Sequence, residues 1–251
     1  MKTNTSKETS TPRSKSQIRE YTEAGLVALI AALLLRTFVV QAFRIPTGSM
    51  KDTLLIGDFL LVNKFVYGAR TPDGIPFTNI MLQFWRLPAL KQPERGEIVV
   101  FKYPRDEKLD YIKRCIATGG QTVEVREGIA YVDGEAEGQS EFISKEYDPQ
   151  EGHYVLYYKI TMKTGQTYTI RHYADHHLPS ENFGPVKVPE GEYFMMGDNR
   201  DNSADSRVWG FLPARNVVGE AMVIYWSWDA DEPLHKLLSK VRWERIGNLI
   251  K

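Results

Sequence analysis

Residues 25–43 read GLVALIAALLLRTFVVQAF, an apolar run interrupted only by Arg36, Thr37 and Gln41. At 1.5 Å of rise per residue that is about the length of helix needed to cross a hydrocarbon core of roughly 30 Å. A cleaved leader has a shorter apolar core ending at a small-x-small site, so the run is read as a retained span. Arg36 opposes this reading, because a basic side chain inside a span costs about 2.5–3.5 kcal/mol on insertion scales and less near an end. The preceding tail carries Lys2, Lys7, Arg13, Lys15 and Arg19, a bias that favours a cytoplasmic N-terminus. Everything after Phe43 is then expected outside.

Immediately beyond comes IPTGSMKDTL at 45–54, where a serine hydroxyl follows a turn-prone Thr-Gly pair. At about 3.3 Å per extended residue, Ser49 would lie within about 20 Å of the end of the span.

The remaining chain alternates with period two or runs apolar in short stretches: DFLLVNKFVYG, EIVVFKYP, YIKRCIAT, TVEVREGIAYVDG, HYVLYYKITM, TYTIRHY, EYFMMGD and AMVIYWSW. Each is bounded by Gly, Pro, Asp or Asn, and VREGIAY and MKTGQTY read as hairpin connections. The expected fold class is mainly β: one N-terminal transmembrane helix, then an exported antiparallel β-sheet domain with a smaller inserted β subdomain. The expected divisions are a polar cytoplasmic tail at 1–23, a span at 24–43, a catalytic β domain from 44–133 and 188–251, and an insertion at 134–187.

Composition narrows the function. The 251 residues carry a formal net charge of +0 and are 42% hydrophobic, with no basic excess to suggest nucleic acid. A single cysteine, Cys115, forbids an internal disulfide. It is expected to pack as an apolar strand residue.

Three stretches are too specific for generic strands and turns: IPTGSMKDTLLIGDFLLVNK at 45–64, RGEIVVFKYP at 95–104 with DYIKRCIATGG at 110–120, and GDNRDNSADSRVWGFLP at 197–213. In this order, behind an N-terminal span, they resemble type I signal peptidases, the membrane-bound serine proteases that remove signal peptides from exported proteins. The wording departs from the family's at Asp52, where proline is usual, and at Thr118–Gln121, where a Pro-Gly-Asp turn is usual.

The residues also carry a chemical reading of their own. A serine hydroxyl needs a base within reach. The histidines, His153, His172, His176, His177 and His235, all fall in the insertion or near the C-terminus, so a Ser-His-Asp triad is not expected. Lysine serves as the base in Ser-Lys variants once desolvation lowers its pKa. Lys113 lies mid-strand, and period two puts Tyr111, Lys113 and Cys115 on one face.

The resemblance implies Ser49 as nucleophile and Lys113 as general base. It implies that Thr47 assists the oxyanion hole, that Ser203 orients the lysine, and that Asp205 and Arg207 form a structural ion pair beneath the site. It further implies cleavage after an Ala-x-Ala-like site, preproteins with signal peptides as substrates and the lipid bilayer as partner. With these go a bacterial inner-membrane location near the secretion translocon, no cofactor and no metal.

Taken singly, each feature has an ordinary reading: a turn serine, a solvated strand lysine, a capped loop. Counted from Asp198 or Asp201, DNRDNSADS lacks the glycine and glutamate of a calcium-binding EF-hand loop. HYADHH at 172–177 reads as a surface loop rather than a metal site. PLHKLLSKVRWERIGNLIK at 233–251 has apolar residues at helical spacing, suited to docking on the domain or lying on anionic lipid. Two alternatives stand beside the peptidase: a Ser-Lys autoprotease like those of self-cleaving repressors, and a silent membrane-tethered peptide-binding protein.

Overall fold

The computed structural model describes residues 17–70, 86–175, 182–229 and 237–250. His176, His177 and His235 and the first residues of the C-terminal segment lie outside these.

Helix α1 (Gln17–Phe38) is 22 residues long. Its stretch Arg19–Phe38 has mean hydropathy 1.5 and no part of it is buried against the protein. A helix this apolar with no protein cover suits a hydrocarbon surrounding.

The helix stops five residues earlier than the expected span. Val39, Val40 and Phe43 favour extended backbone, and strand β1 (Val40–Arg44) pairs antiparallel with β2 (Asp58–Asn63), Val40 opposite Asn63 and Arg44 opposite Phe59. The last expected span residues are therefore the edge strand of the globular domain, because backbone pairing there satisfies both partners.

β3 (Ile98–Tyr103), β4 (Asp106–Thr118), β12 (Glu192–Met196), β13 (Leu212–Pro213) and β14 (Val217–Ser227) complete a seven-stranded sheet in the order β1-β2-β14-β3-β4-β12-β13. Every pair in it is antiparallel. One apolar cluster packs Met50, Leu54, Leu60, Val62 and Ile224 together. A second gathers Val99, Phe101, Cys115, Met195 and Trp209, where Cys115 is a fully buried packing residue.

The insertion is built differently from the expectation. A four-stranded sheet, β11-β5-β6-β7, contains β5 (Thr122–Arg126), β6 (Ile129–Val132), β7 (Glu135–Ala136) and β11 (Phe183–Lys187). A three-stranded sheet, β10-β9-β8, contains β8 (Gln139–Asp148), β9 (His153–Thr161) and β10 (Thr167–Tyr173). The expected boundary at 133/134 cuts through the four-stranded sheet, whose Val123, Val125, Ala130 and Val132 pack on Ile116 and Phe194 of the central sheet. The expected β9–β10 hairpin forms, closed by Met162 N–H to Gln166 O at 2.9 Å.

Among its described residues, the C-terminal segment is helical at α3 (Leu237–Lys240) and in a 3-10 turn at Trp243–Arg245. It docks on the domain: Gly247 N–H donates to Ile224 O at 2.8 Å and Ile250 N–H to Met222 O at 2.8 Å. Arg245 forks onto the buried Asp58 at 3.0 and 2.6 Å. A bidentate ion pair and strand-like pairing outweigh a helical spacing too short to stand alone.

Candidate active site

Ser49 sits in a tight turn between β1 and β2. Lys51 N–H donates to Gly48 O at 3.0 Å and Leu54 N–H to Met50 O at 2.6 Å, while Met50 and Leu54 are wholly buried in the core below. The turn is also held from the opposite loop: Asn199 N–H donates to Ser49 O at 3.2 Å and Asn199 Nδ2 to Gly48 O at 3.1 Å. Gly197 permits this approach, since a Cβ there would collide with Ser49 O and Ser203 Oγ.

Lys113 comes from the middle of β4, opposite Val99 of β3, and is 3% exposed. Its Nζ lies 2.5 Å from Ser49 Oγ and 3.0 Å from Ile112 O, to which it donates. The Tyr111 ring lies 5.5 Å from the same nitrogen. Burial pulls the Lys113 pKa down to about 8, against the opposing pull of the Asp205 and Asp198 carboxylates. At pH 7 about one molecule in ten would carry the neutral amine, against fewer than one in a thousand for an ordinary lysine. A neutral amine at this distance is able to take a proton from the hydroxyl.

Asp205 and Arg207 form the expected pair, with Nε at 2.9 Å and Nη2 at 2.8 Å from the two carboxylate oxygens. Asp205 also accepts Gly197 N–H at 3.2 Å and caps the short helix α2 (Ser206–Trp209). Thr47 is exposed at the mouth of the site. Ser203 Oγ is buried without a hydrogen-bond partner, so it is not joined to Lys113 here.

Sequence reading missed a second buried pair. Arg114, adjacent to Lys113, forks onto Asp198 at 2.9 and 2.7 Å, with both side chains nearly inaccessible. Asp198 accepts Thr53 Oγ1 at 2.5 Å, tying the pair to the turn that carries Ser49. A third buried pair joins Arg200 to Glu137 at 2.6 and 2.7 Å. The only available signal was consecutive basic residues within the apolar half of β4, YIKRCIAT. Asp198, Asp201 and Asp205, spaced like cation ligands, each have protein donors instead.

A cleft of about 400 Å³ opens at the dyad between Pro46–Ser49 and Leu109–Lys113. β12 pairs with β4 only from Arg114 to Thr118. Among the described residues, the β12 side of Leu109–Ile112 therefore has no strand partner, and its backbone faces the cleft as an edge suited to an extended peptide.

The family model described as signal peptidase, peptidase S26, matches residues 18–226. Signal peptidase I of Pseudomonas aeruginosa is 37% identical, covering 91% of this chain and 78% of its own length. Signal peptidase I of Rickettsia canadensis is 34% identical, covering 94% and 91%, and that of Aquifex aeolicus is 37% identical, covering 79% and 80%. A crystal structure of a signal peptidase I from Enterococcus faecalis aligns at 30% identity over 52% of this chain and 97% of its own, with a TM-score of 0.31. So low a score adds nothing to the fold, which rests on the sheet topology described above.

Proposed function

Because this chain belongs to the signal peptidase family, peptidase S26, we propose that Ser49 and Lys113 are the nucleophile and general base with which it removes signal peptides. The observation that carries the proposal is the 2.5 Å contact between Ser49 Oγ and the Nζ of a buried lysine. Lys113 takes the hydroxyl proton as Ser49 Oγ attacks the scissile carbonyl. The resulting ammonium passes that proton to the departing amine, leaving an acyl ester on Ser49. Water, deprotonated by Lys113, then releases the signal peptide and regenerates the hydroxyl.

The Ser49 N–H, assisted by the Thr47 hydroxyl, faces the developing oxyanion, a type of contact worth about 3 kcal/mol in the transition state. Ser203, whose buried Oγ has no hydrogen-bond partner, is assigned the orienting of the lysine, and the Asp205–Arg207 pair supports the loop. The preprotein lies extended along Leu109–Ile112, with small residues before the cut, as in Ala-x-Ala, accommodated by the narrow cleft.

The exposed apolar helix α1 supports anchoring in the bacterial inner membrane, with the N-terminus cytoplasmic and the catalytic domain outside, near the translocon. Ile56, Phe65 and Leu90 are exposed on the domain and suit contact with lipid headgroups or substrate. An intact dyad counts against a silent binding protein, and family membership against a self-cleaving repressor.

The test is cleavage of a preprotein bearing an Ala-x-Ala site by the purified full chain in detergent, with products mapped by mass spectrometry. Cleavage after the second alanine is expected, and none by folded Ser49→Ala. Undiminished turnover by that variant would remove Ser49 from the mechanism.

A further inference from the structure

The turn that carries Ser49 contains a left-handed backbone conformation at a residue that has a Cβ. Asp52 has φ +76°, in the left-handed region that residues with a Cβ seldom enter. Proline, usual here in the related wording, has φ locked near −65° and could not adopt it. Aspartate tolerates it better than most residues, and contacts from outside the turn add to the hold.

Arg171 of β10 faces Asp52. It is buried, with Nη1 at 3.4 Å from Asp52 Oδ2 and Nη2 at 2.6 Å from Asp148 Oδ2 and 3.0 Å from Glu151 Oε2. Lys51, beside Asp52, reaches the same Asp148 oxygen at 2.6 Å. Three carboxylates thus share two cations between the nucleophile turn and the β8–β9 turn. Burial raises the Asp52 carboxyl above its ordinary value while Arg171 and then Lys51 oppose the rise, so these cations keep its charge tolerable.

The main chain of Arg171 is fixed as well. Its N–H donates to Asp198 O at 3.0 Å and its carbonyl accepts Arg200 N–H at 3.0 Å. Between those two residues lies Asn199, whose N–H holds Ser49 O. One residue of the three-stranded sheet therefore grips both segments that define where Ser49 sits.

We propose that Asp52 and Arg171 are a positioning pair: Arg171, anchored in the three-stranded sheet, holds the left-handed turn at Asp52 and so sets the angle at which Ser49 meets Lys113. This rests on the Ser49–Lys113 reading and assigns the inserted sheet a part in aligning the nucleophile. Ser49 and Lys113 both come from the central sheet, on a loop and a strand respectively, and the ion cluster with the three-stranded sheet keeps the loop in register with the strand. Misplacing a reacting group by about 1 Å can cost about a hundredfold in rate. Loss of one partly exposed carboxylate is expected to cost less.

The experiment measures the single-turnover rate constant of preprotein cleavage, which counts active molecules only, together with KM and thermal stability for the full chain. Asp52→Gly accepts the positive φ but cannot pair with Arg171, and is expected to lower the rate constant about tenfold with KM within about twofold. Asp52→Glu keeps the carboxylate and is expected to stay within about threefold of wild type. Arg171→Gln leaves Asp148 and Glu151 short of a partner and is expected to destabilise the fold. The exposed-side Asp52 variants therefore carry the decision.

Wild-type single-turnover rates in Asp52→Gly, or equal losses in Asp52→Gly and Asp52→Glu, would overturn the pair. A wild-type chain that cleaves no preprotein would overturn the dyad reading, and the pair's role with it. A cleaving wild type matched by Asp52→Gly would overturn the pair alone.

Discussion

At the scale of the residue, Lys113 is a balance of two opposing effects. Burial penalises the ammonium, and the carboxylates of Asp205 and Asp198 restore part of it, leaving a pKa of about 8. Each carboxylate is itself held by an arginine, Asp205 by Arg207 and Asp198 by Arg114, which weakens its pull on the lysine. The sign of the pH dependence follows for the proposed base, which would work as the neutral amine, whose fraction grows as pH rises. Cleavage is expected to rise about tenfold per pH unit below an apparent pKa of about 8 and to level off above it. A kcat/KM profile from pH 5 to 10 measures this, and a limb centred near 10.5 would mean that burial does not tune the lysine. Ser49 and Lys113 were singled out in the sequence by three motifs occurring in order behind the apolar run, not by either residue's own neighbours, and the structure brings the two side chains to 2.5 Å. The Arg114–Asp198 pair was not legible, because its partners lie 84 positions apart and neither segment alone specifies the other.

At the scale of the element, local pattern and tertiary pairing disagree in two places, and pairing wins in both. The apolar run 25–43 has one hydropathy but two conformations: helix through Phe38, then the edge strand β1. The C-terminal segment has helical spacing, yet Ile224 and Met222 of β14 offer hydrogen bonds that an isolated short helix in water cannot match. Period-two strands were readable because alternation is written into each segment. Which strands share a sheet was not, since β5 and β11 meet across some sixty intervening residues. The end of the helix also separates two truncations. Removing residues 1–38 is expected to leave a soluble domain that cuts short peptides. Removing residues 1–44 also takes β1 and bares the β2 edge, and is expected to lower the melting temperature by at least about 5 °C relative to the first truncation. Differential scanning calorimetry of the two proteins decides it, and equal melting temperatures would mean that β1 contributes no stability to the sheet.

At the scale of the whole molecule, the site lies where three sheets exchange ion pairs. The central sheet supplies Lys113, the three-stranded sheet supplies Arg171, and Glu137 beside the four-stranded sheet anchors Arg200 of the loop that holds Ser49 O. Desolvation offsets most of the Coulombic gain of buried pairs of this kind, so their net contribution to stability is small while both partners are present. The chain follows α1 directly with β1, so the domain begins at the end of the apolar helix; with that helix in the membrane as proposed, a substrate whose cleavage site lies just past its own apolar core would meet the cleft at a similar height. Whether Lys113 moves a proton or merely supplies charge is decided by Lys113→Arg in the full chain, since a guanidinium keeps the charge but stays protonated at any working pH. Cleavage of an Ala-x-Ala preprotein by that variant, folded and in detergent, is expected to fall to the level of Lys113→Ala; cleavage within about tenfold of wild type would contradict a Ser49–Lys113 dyad.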